Sequence, residues 1–164
     1  MKIIPAHTKD ISIILSIIAE ARQIIRENGN LTQWTNGYPS KTVIEEDVSG
    51  NQAYLCFEND EIVGYFCLIV GDNPESSYDI IEEGAWLNLE PYGVIHRLAS
   101  GRKVKGIAQA ALDFAFSKIS NIKIDTHRDN VPMQHFLEKN DFTYCGVIYV
   151  QDGTPRDAYQ KIIS

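Results

Sequence analysis

The chain is poor in several features that would place it in large protein classes. Cysteine is scarce, with three in 164 residues. Cys56, Cys67 and Cys145 are odd in number and widely spaced, so they read as reduced, largely buried thiols rather than a disulfide frame. None has a second cysteine or a histidine at metal-ligand spacing, which argues against a structural zinc site, and no metal is expected. Positive charge is in deficit: 15 lysines and arginines stand against 22 acidic residues, a net charge of −7. A protein that coats nucleic acid carries the opposite balance, so no nucleic-acid partner is expected. Long apolar runs are missing too. The run from Ile11 to Ala21 falls well short of the ~20 residues that span a bilayer. Its end, Ala19-Glu20-Ala21, has the outline of a signal-peptidase site. Lys9 and Asp10 sit directly before the run, however, and Ile11, Ile14, Leu15, Ile18 and Ile25 keep helical spacing straight past that site. The run reads as an amphipathic core helix, and the chain as cytoplasmic with no membrane partner. There are no internal repeats and no low-complexity tracts.

What is present is ordinary globular composition, 44% apolar and 23% charged. At ~150 residues per domain the length predicts a single domain over 1–164, large enough to bury roughly two-thirds of its unfolded surface. A short strand opens the chain at Met1–Ala6. A helix capped by Thr8 or Asp10 runs to about Glu27 and stops at Asn28-Gly29-Asn30. Leu31–Pro39 is a loop whose Trp34 and Tyr38 are expected to line a surface groove, with buried packing or a dimer contact as the alternative. Thr42-Val43-Ile44-Glu45 has capping-box spacing for a second helix. Strands at Ala53–Glu58 and Ile62–Gly71 flank an Asn59-Asp60 hairpin turn. Residues 72–90 read as a long connection or flap, and their Tyr78 and Trp86 offer aromatic surface for an acceptor or pack internally. Gly93–Ala99 is the next strand, and a helix starts at Gly106. Ile122, Ile124 and Thr126 alternate with Lys123, Asp125 and His127 as a strand with one buried face. Asn130 caps a last helix, with Pro132 in its first turn. Strands at Tyr144–Val150 and Asp157–Ile163 finish the chain around Asp152-Gly153. This is a mixed α/β order with a parallel crossover through the helix at Gly106.

The segment that carries chemistry runs from His96 to Phe142. A strand feeds the turn Ser100-Gly101-Arg102-Lys103-Val104-Lys105-Gly106, which opens a helix at Ile107-Ala108. Cations at a helix N-terminus oppose the macrodipole, which favours anions there by ~0.3–1 kcal/mol. Arg102, Lys103 and Lys105 therefore point either to an anion held among them or to a solvated basic turn. The free N–H groups at such an end, with Gly106 allowing close approach, suit a phosphate or pyrophosphate. The turn is no Walker loop, because Ile107 and Ala108 replace the required Lys and Ser/Thr.

Lys103-Val104-Lys105-Gly106-Ile107-Ala108 resembles the Arg/Gln-x-x-Gly-x-Gly/Ala signature of the GNAT superfamily of N-acetyltransferases. Asn130 through Phe142 resembles the family's Asn-x-x-Ala-x-x-Leu-Tyr-x-x-x-Gly-Phe helix and strand, and the element order matches over essentially the whole chain. The resemblance implies a central, mostly antiparallel sheet with one splayed parallel strand pair and helices on both faces. It implies acetyl-CoA as co-substrate between Val94–Ala99 and Lys123–His127. Backbone groups of Leu98, Ala99 and Ser100 would face the pantetheine, the amides of residues 103–108 would hold the pyrophosphate, and Asn130 would lie near the cofactor. Three of the chain's departures from the pattern matter. Lys103 stands for Arg or Gln, Leu137 for the tyrosine many members use as general acid, and Asp141 for glycine.

Acyl transfer to an amine needs a proton acceptor, donors for the thioester oxygen and a means of stabilising the leaving thiolate. His96 is the candidate base, its alternative a hydrogen-bonded core histidine. Asp125 and His127, two residues apart on one strand face, are a candidate proton relay or ammonium site, or else residues that shape the next helix start. Glu82 and Glu83 are candidates for attracting a cation, and Tyr144 and Tyr149 for a substitute acid, with packing as the tyrosines' alternative role. The expectation is direct acetyl transfer from acetyl-CoA to a small-molecule or peptide amine. A catalytically idle acyl-CoA-binding regulatory module is the alternative that Leu137 motivates. The edge formed by the last strands leaves room for a homodimer.

Overall fold

A computed structural model of the chain describes residues 1–101 and 104–164. Its elements are β1 (Lys2–Pro5), α1 (Ile11–Glu27), α2 (Lys41–Ser49), β2 (Ala53–Glu58), β3 (Glu61–Gly71), β4 (Tyr92–Ser100), α3 (Ile107–Lys118), β5 (Asn121–His127), α4 (Val131–Lys139), β6 (Thr143–Tyr149) and β7 (Pro155–Ile162), with short 3-10 turns at Thr8–Asp10 and Ser76–Tyr78. This mixed α/β order is the one the sequence predicts. Hydrogen bonding joins the strands as a seven-stranded sheet in the order β1-β2-β3-β4-β5-β7-β6. β4 and β5 pair in parallel at Gly93↔Ile122 and Val94↔Lys123. The crossover through α3 makes that possible, because parallel neighbours need a long connection. Two compact units are distinguishable: Met1–Leu68 with Ile95–Ala115, and Ile69–Val94 with Phe116–Ser164.

In the first unit, the β2–β3 hairpin turns on Asn59 and Asp60, both left-handed with φ of 50° and 63°. Asn and Asp are among the few residues that tolerate two such positions in a tight turn. The register Leu55↔Tyr65 and Tyr54↔Phe66 sorts side chains to two faces. Ala53, Leu55 and Tyr65 join Ile14, Ile18 and Ile44 of α1 and α2 in one apolar core. Each fully buried isoleucine there contributes ~1.5–3 kcal/mol. On the opposite face the Tyr54 and Phe66 rings pack on Phe114 of α3, at 4.8 and 5.9 Å, so helices cover both faces of this hairpin.

Two local expectations change. The cap of α2 is Ser40, whose hydroxyl accepts from the Val43 N–H at 3.3 Å, and Thr42 already lies inside the helix. Trp34 does not line a groove: it is buried and belongs to the core with Ile14 and Ile44. Arg22 and Arg26 of α1 make this possible by both donating to the Trp34 carbonyl (3.2 and 2.9 Å), and Arg22 also reaches that of Tyr38 at 2.9 Å. They tie the 31–39 loop down by its backbone and leave the Tyr38 ring 43% exposed.

In the second unit, β5, β7 and β6 form antiparallel ladders. The connection from 72 to 90 packs on them rather than standing free. Tyr78 is buried and stacks on Tyr92, with Trp86 tilted against it. Gln160 of β7 binds the connection as well, accepting from the Leu87 N–H at 2.8 Å and donating to Asn88. β5 is therefore buried on both faces, with Lys123 and His127 covered alongside Ile122 and Ile124. Its alternation suggests one wet face, and the 72–90 connection closes that face. Lys123 lies over the rings of Trp86 and Tyr92, at 4.3 and 4.1 Å, and burial lowers its pKa. Gly84 and Gly146 mark the closest approach of the connection to β6. A Cβ on Gly84 would sit 2.0 Å from the Cys145 carbonyl oxygen, and one on Gly146 would sit 2.4 Å from that of Glu82. All three cysteines are free and buried.

Candidate active site

The candidate residues fall in both units, and each is described in its own surroundings. His96 sits half-buried in β4. The residue after it is unusual: Arg97 has a φ of 52° in the middle of a strand. Side chains larger than Gly, Asn or Asp rarely occupy that region, at a cost on the order of 1–3 kcal/mol. Two short bonds hold it. Arg97 Nε donates to Asp47 Oδ2 at 2.8 Å and Nη2 to Oδ1 at 2.6 Å, a bidentate pair with side chains 13% and 5% exposed. Asp47 also accepts from the Tyr65 hydroxyl, whose pKa is pushed up by burial and then by Asp47 itself, so that it remains a donor. On its outer side the guanidinium donates through Nη1 to the Tyr38 hydroxyl at 3.0 Å. Leu98 and Ser100 follow half-buried and Ala99 buried.

Sequence reasoning passed over Asp47 and Arg97. The available signal was a carboxylate on the inward stripe of α2, where Asp47 stands three residues after the fully buried Ile44 and one before Val48. Nothing in the sequence announces the left-handed Arg97.

Beyond β4, Arg102 and Lys103 lie outside the described residues. Val104 is half-buried, and Lys105 and Gly106 are exposed. Gly106 has a φ of 90° with open space where a Cβ would stand. Its carbonyl accepts from the Ala110 N–H at 3.0 Å, which begins the bond ladder of α3. The first N–H groups of a helix have no intrahelical acceptor, so Ile107 and Ala108 present donors beside an exposed glycine. An anion is stabilised in that setting. The segment described thus fits a pyrophosphate in its donors and in the space at Gly106.

On β5, Asp125 accepts from the buried Tyr78 hydroxyl at 2.6 Å, and Arg156 Nη1 stands 3.9 Å from its other oxygen. His127 is opposite Arg156 in the ladder. Its Nδ1 accepts from the Asp129 N–H at 3.0 Å, so the ring proton is on Nε2. Burial, then the charge of Arg156, lowers its pKa from 6.5. Asp125 and His127 therefore share Arg156 as a neighbour, Asp125 anchors the 72–90 connection, and His127 shapes the turn into α4. Asn130 caps α4, its side chain accepting from Met133 N–H at 3.2 Å.

The departures from the family pattern have structural counterparts. Leu137 is fully buried. Asp141 has a φ of 64°, with the Phe142 N–H bonded to Leu137 O and the Asp141 N–H to Glu138 O. This double bond pattern ends a helix on a left-handed residue, usually glycine, and aspartate is one of the few others that fit. Tyr144 and Tyr149 are 47% and 45% exposed, and the Tyr144 ring packs edge-on against Tyr159 at 5.7 Å. The Glu82 carboxylate beside the Tyr149 hydroxyl raises its pKa, while burial and then Asp157 and Glu83 raise that of Tyr144. Glu82 and Glu83 are exposed. Among the described residues, no cluster of three or more His, Cys, Asp or Glu is placed to hold a metal, and no helix is long and apolar enough to cross a membrane.

Neither a protein-family model nor a curated protein sequence matches the chain. Solved structures do. A GNAT-family acetyltransferase from Streptococcus agalactiae is 35% identical with a TM-score of 0.88, over 99% of this chain and 95% of that one. A GNAT-family acetyltransferase from Listeria monocytogenes is 20% identical (TM-score 0.71, 99% and 94% covered). A ribosomal-protein-alanine N-acetyltransferase from Brucella melitensis is 13% identical (TM-score 0.66, 99% and 100% covered). These last two share the fold. The whole-length identity to the streptococcal protein goes further, and with it the chain belongs to the GNAT family of acetyltransferases.

Proposed function

We propose that this acyltransferase moves an acetyl group from acetyl-CoA to a primary amine of a small molecule or peptide, by direct transfer without a covalent enzyme intermediate. The observation that carries the reading is the opening of α3, where exposed Gly106 at positive φ stands beside Ile107 and Ala108, whose N–H groups belong to the helix's first turn. Those groups, with Val104, Lys105 and the neighbouring Lys103, would hold the pyrophosphate. Acetyl-CoA supplies an acyl group already activated as a thioester. Leu98 and Ala99 would donate backbone N–H groups to the thioester oxygen as charge develops on it, and Ser100 would lie along the pantetheine, with Asn130 near the cofactor.

The amine must shed a proton to attack, since an alkylammonium has a pKa of ~10. His96 takes that proton. Asp125 and His127 form a second polar pair on β5, the carboxylate held by Tyr78 and the neutral imidazole donating from Nε2. The amine nitrogen bonds to the thioester carbon and the carbon–sulfur bond then breaks; the new amide nitrogen sheds its second proton to solvent, and the thiolate recovers one from a phenol or water. Leu137 cannot give one. Tyr144 and Tyr149, whose raised pKa values keep them protonated at neutral pH, are the exposed phenols suited to it.

A thermal-unfolding titration with acetyl-CoA tests the reading, with acetyl-pantetheine, which lacks the nucleotide phosphates, as control. At ~100 times the dissociation constant a ligand adds ~2.7 kcal/mol, and the midpoint should rise by roughly 5–10 °C with acetyl-CoA alone. No shift with either compound overturns the proposal. Tight binding with no acetyl transfer to a broad panel of amines would favour the idle acyl-CoA-binding module, the reading to which buried Leu137 lends weight.

A further inference from the structure

We propose that Asp47 is a positioning residue for acyl transfer: its carboxylate, through the bidentate pair with Arg97, holds the backbone at Arg97 in the left-handed region and so aims the N–H groups of Leu98 and Ala99. The inference rests on the proposed role of those two N–H groups toward the thioester oxygen.

Three observations converge. Arg97 is not glycine, asparagine or aspartate, yet its φ is 52°. The residue that stabilises it comes from α2, fifty positions away, and is 4% exposed. The pair is well partnered, with Asp47 accepting from Arg97 Nε and Nη2 and from the Tyr65 hydroxyl, while Arg97 Nη1 donates to the Tyr38 hydroxyl. A left-handed residue breaks the alternation of a strand, so the next peptide no longer points along the regular ladder. A buried ion pair is a weak source of net stability, and in some proteins its role is to fix one arrangement. Here the arrangement fixed is the strand backbone immediately before Leu98.

The test compares binding of acetyl-CoA with S-ethyl-CoA, a thioether that lacks the carbonyl oxygen. One hydrogen bond to that oxygen should make acetyl-CoA bind about tenfold tighter to the unmodified protein. Two double variants then separate geometry from side chain. Asp47→Asn/Arg97→Gly and Asp47→Asn/Arg97→Ala both remove the ion pair and leave no charge buried alone, but only glycine keeps positive φ without strain. The expected result is that the glycine variant retains the tenfold preference and the alanine variant loses it, with S-ethyl-CoA affinity unchanged within about threefold. Equal behaviour of the two variants overturns the proposal.

Asp47→Asn alone provides the answer if the alanine variant does not fold. The amide sets a donor against one guanidinium N–H, and the preference should fall at least threefold, to about 3 or less. A full tenfold preference in that variant overturns the proposal. Should the unmodified protein bind both compounds equally, the positioning role falls and the acetyl-transfer reading stands. Should it bind neither, both fall.

Discussion

At position 137 the family pattern carries a tyrosine and this chain a fully buried leucine, so the proton chemistry rests on other side chains. His96 carries most of it in the proposed reaction. His96→Ala should lower turnover by ~10²–10⁴ while acetyl-CoA affinity stays within a few-fold, the size expected for loss of a positioned base. Turnover within threefold of the parent, in a thiol-release assay with a responsive amine, would remove His96 from the reaction. Residue type and place in the strands pointed to His96, Asp125 and His127. It did not show that Asp125 is already bonded to Tyr78, because that partner lies 47 residues away in a segment with no periodicity. Asp141 is the opposite case. Its departure from glycine stands out in the sequence, and the φ of 64° shows that the position still demands a left-handed residue.

Elements with a clear period were legible nearly to the residue. The α1 stripe, the β2–β3 hairpin and the Asn130 cap each follow from local spacing. The 72–90 connection was not, because what orders it is packing against β5, β6 and β7, which no local pattern encodes. Its seating depends on two glycines. At Gly84 an added methyl would meet backbone, the Cys145 carbonyl oxygen, at 2.0 Å, and neither side can rotate away. Gly84→Ala should therefore lift the connection from β6 and cost ~3 kcal/mol or more. Limited proteolysis should show new cleavage within 72–90, and the unfolding midpoint should drop by several degrees. Unaltered cleavage and midpoint would mean the connection has another stable seat.

Across the whole molecule, the acidic balance of −7 is a poor guide to pH response, because most carboxylates are solvated. His127 gives a definite sign. Its folded pKa lies below 6.5, so between that lowered value and ~6.5 the unfolded chain binds more protons than the folded one, and stability falls as pH falls through that window. Denaturant melts at pH 7.5, 6.5 and 5.5 should show a shallower decline for His127→Gln than for the parent, and identical declines would refute the assignment. The fold class was readable because its elements follow contiguous patterns. The Asp47–Arg97 pair was not, since its halves are separated in the chain and joined only by folding. That separation bears on how far the signature is portable. A designer who transplants β4, its turn and α3 into another scaffold carries over every residue that identifies the segment, yet leaves behind, on α2, the carboxylate that keeps its backbone in shape.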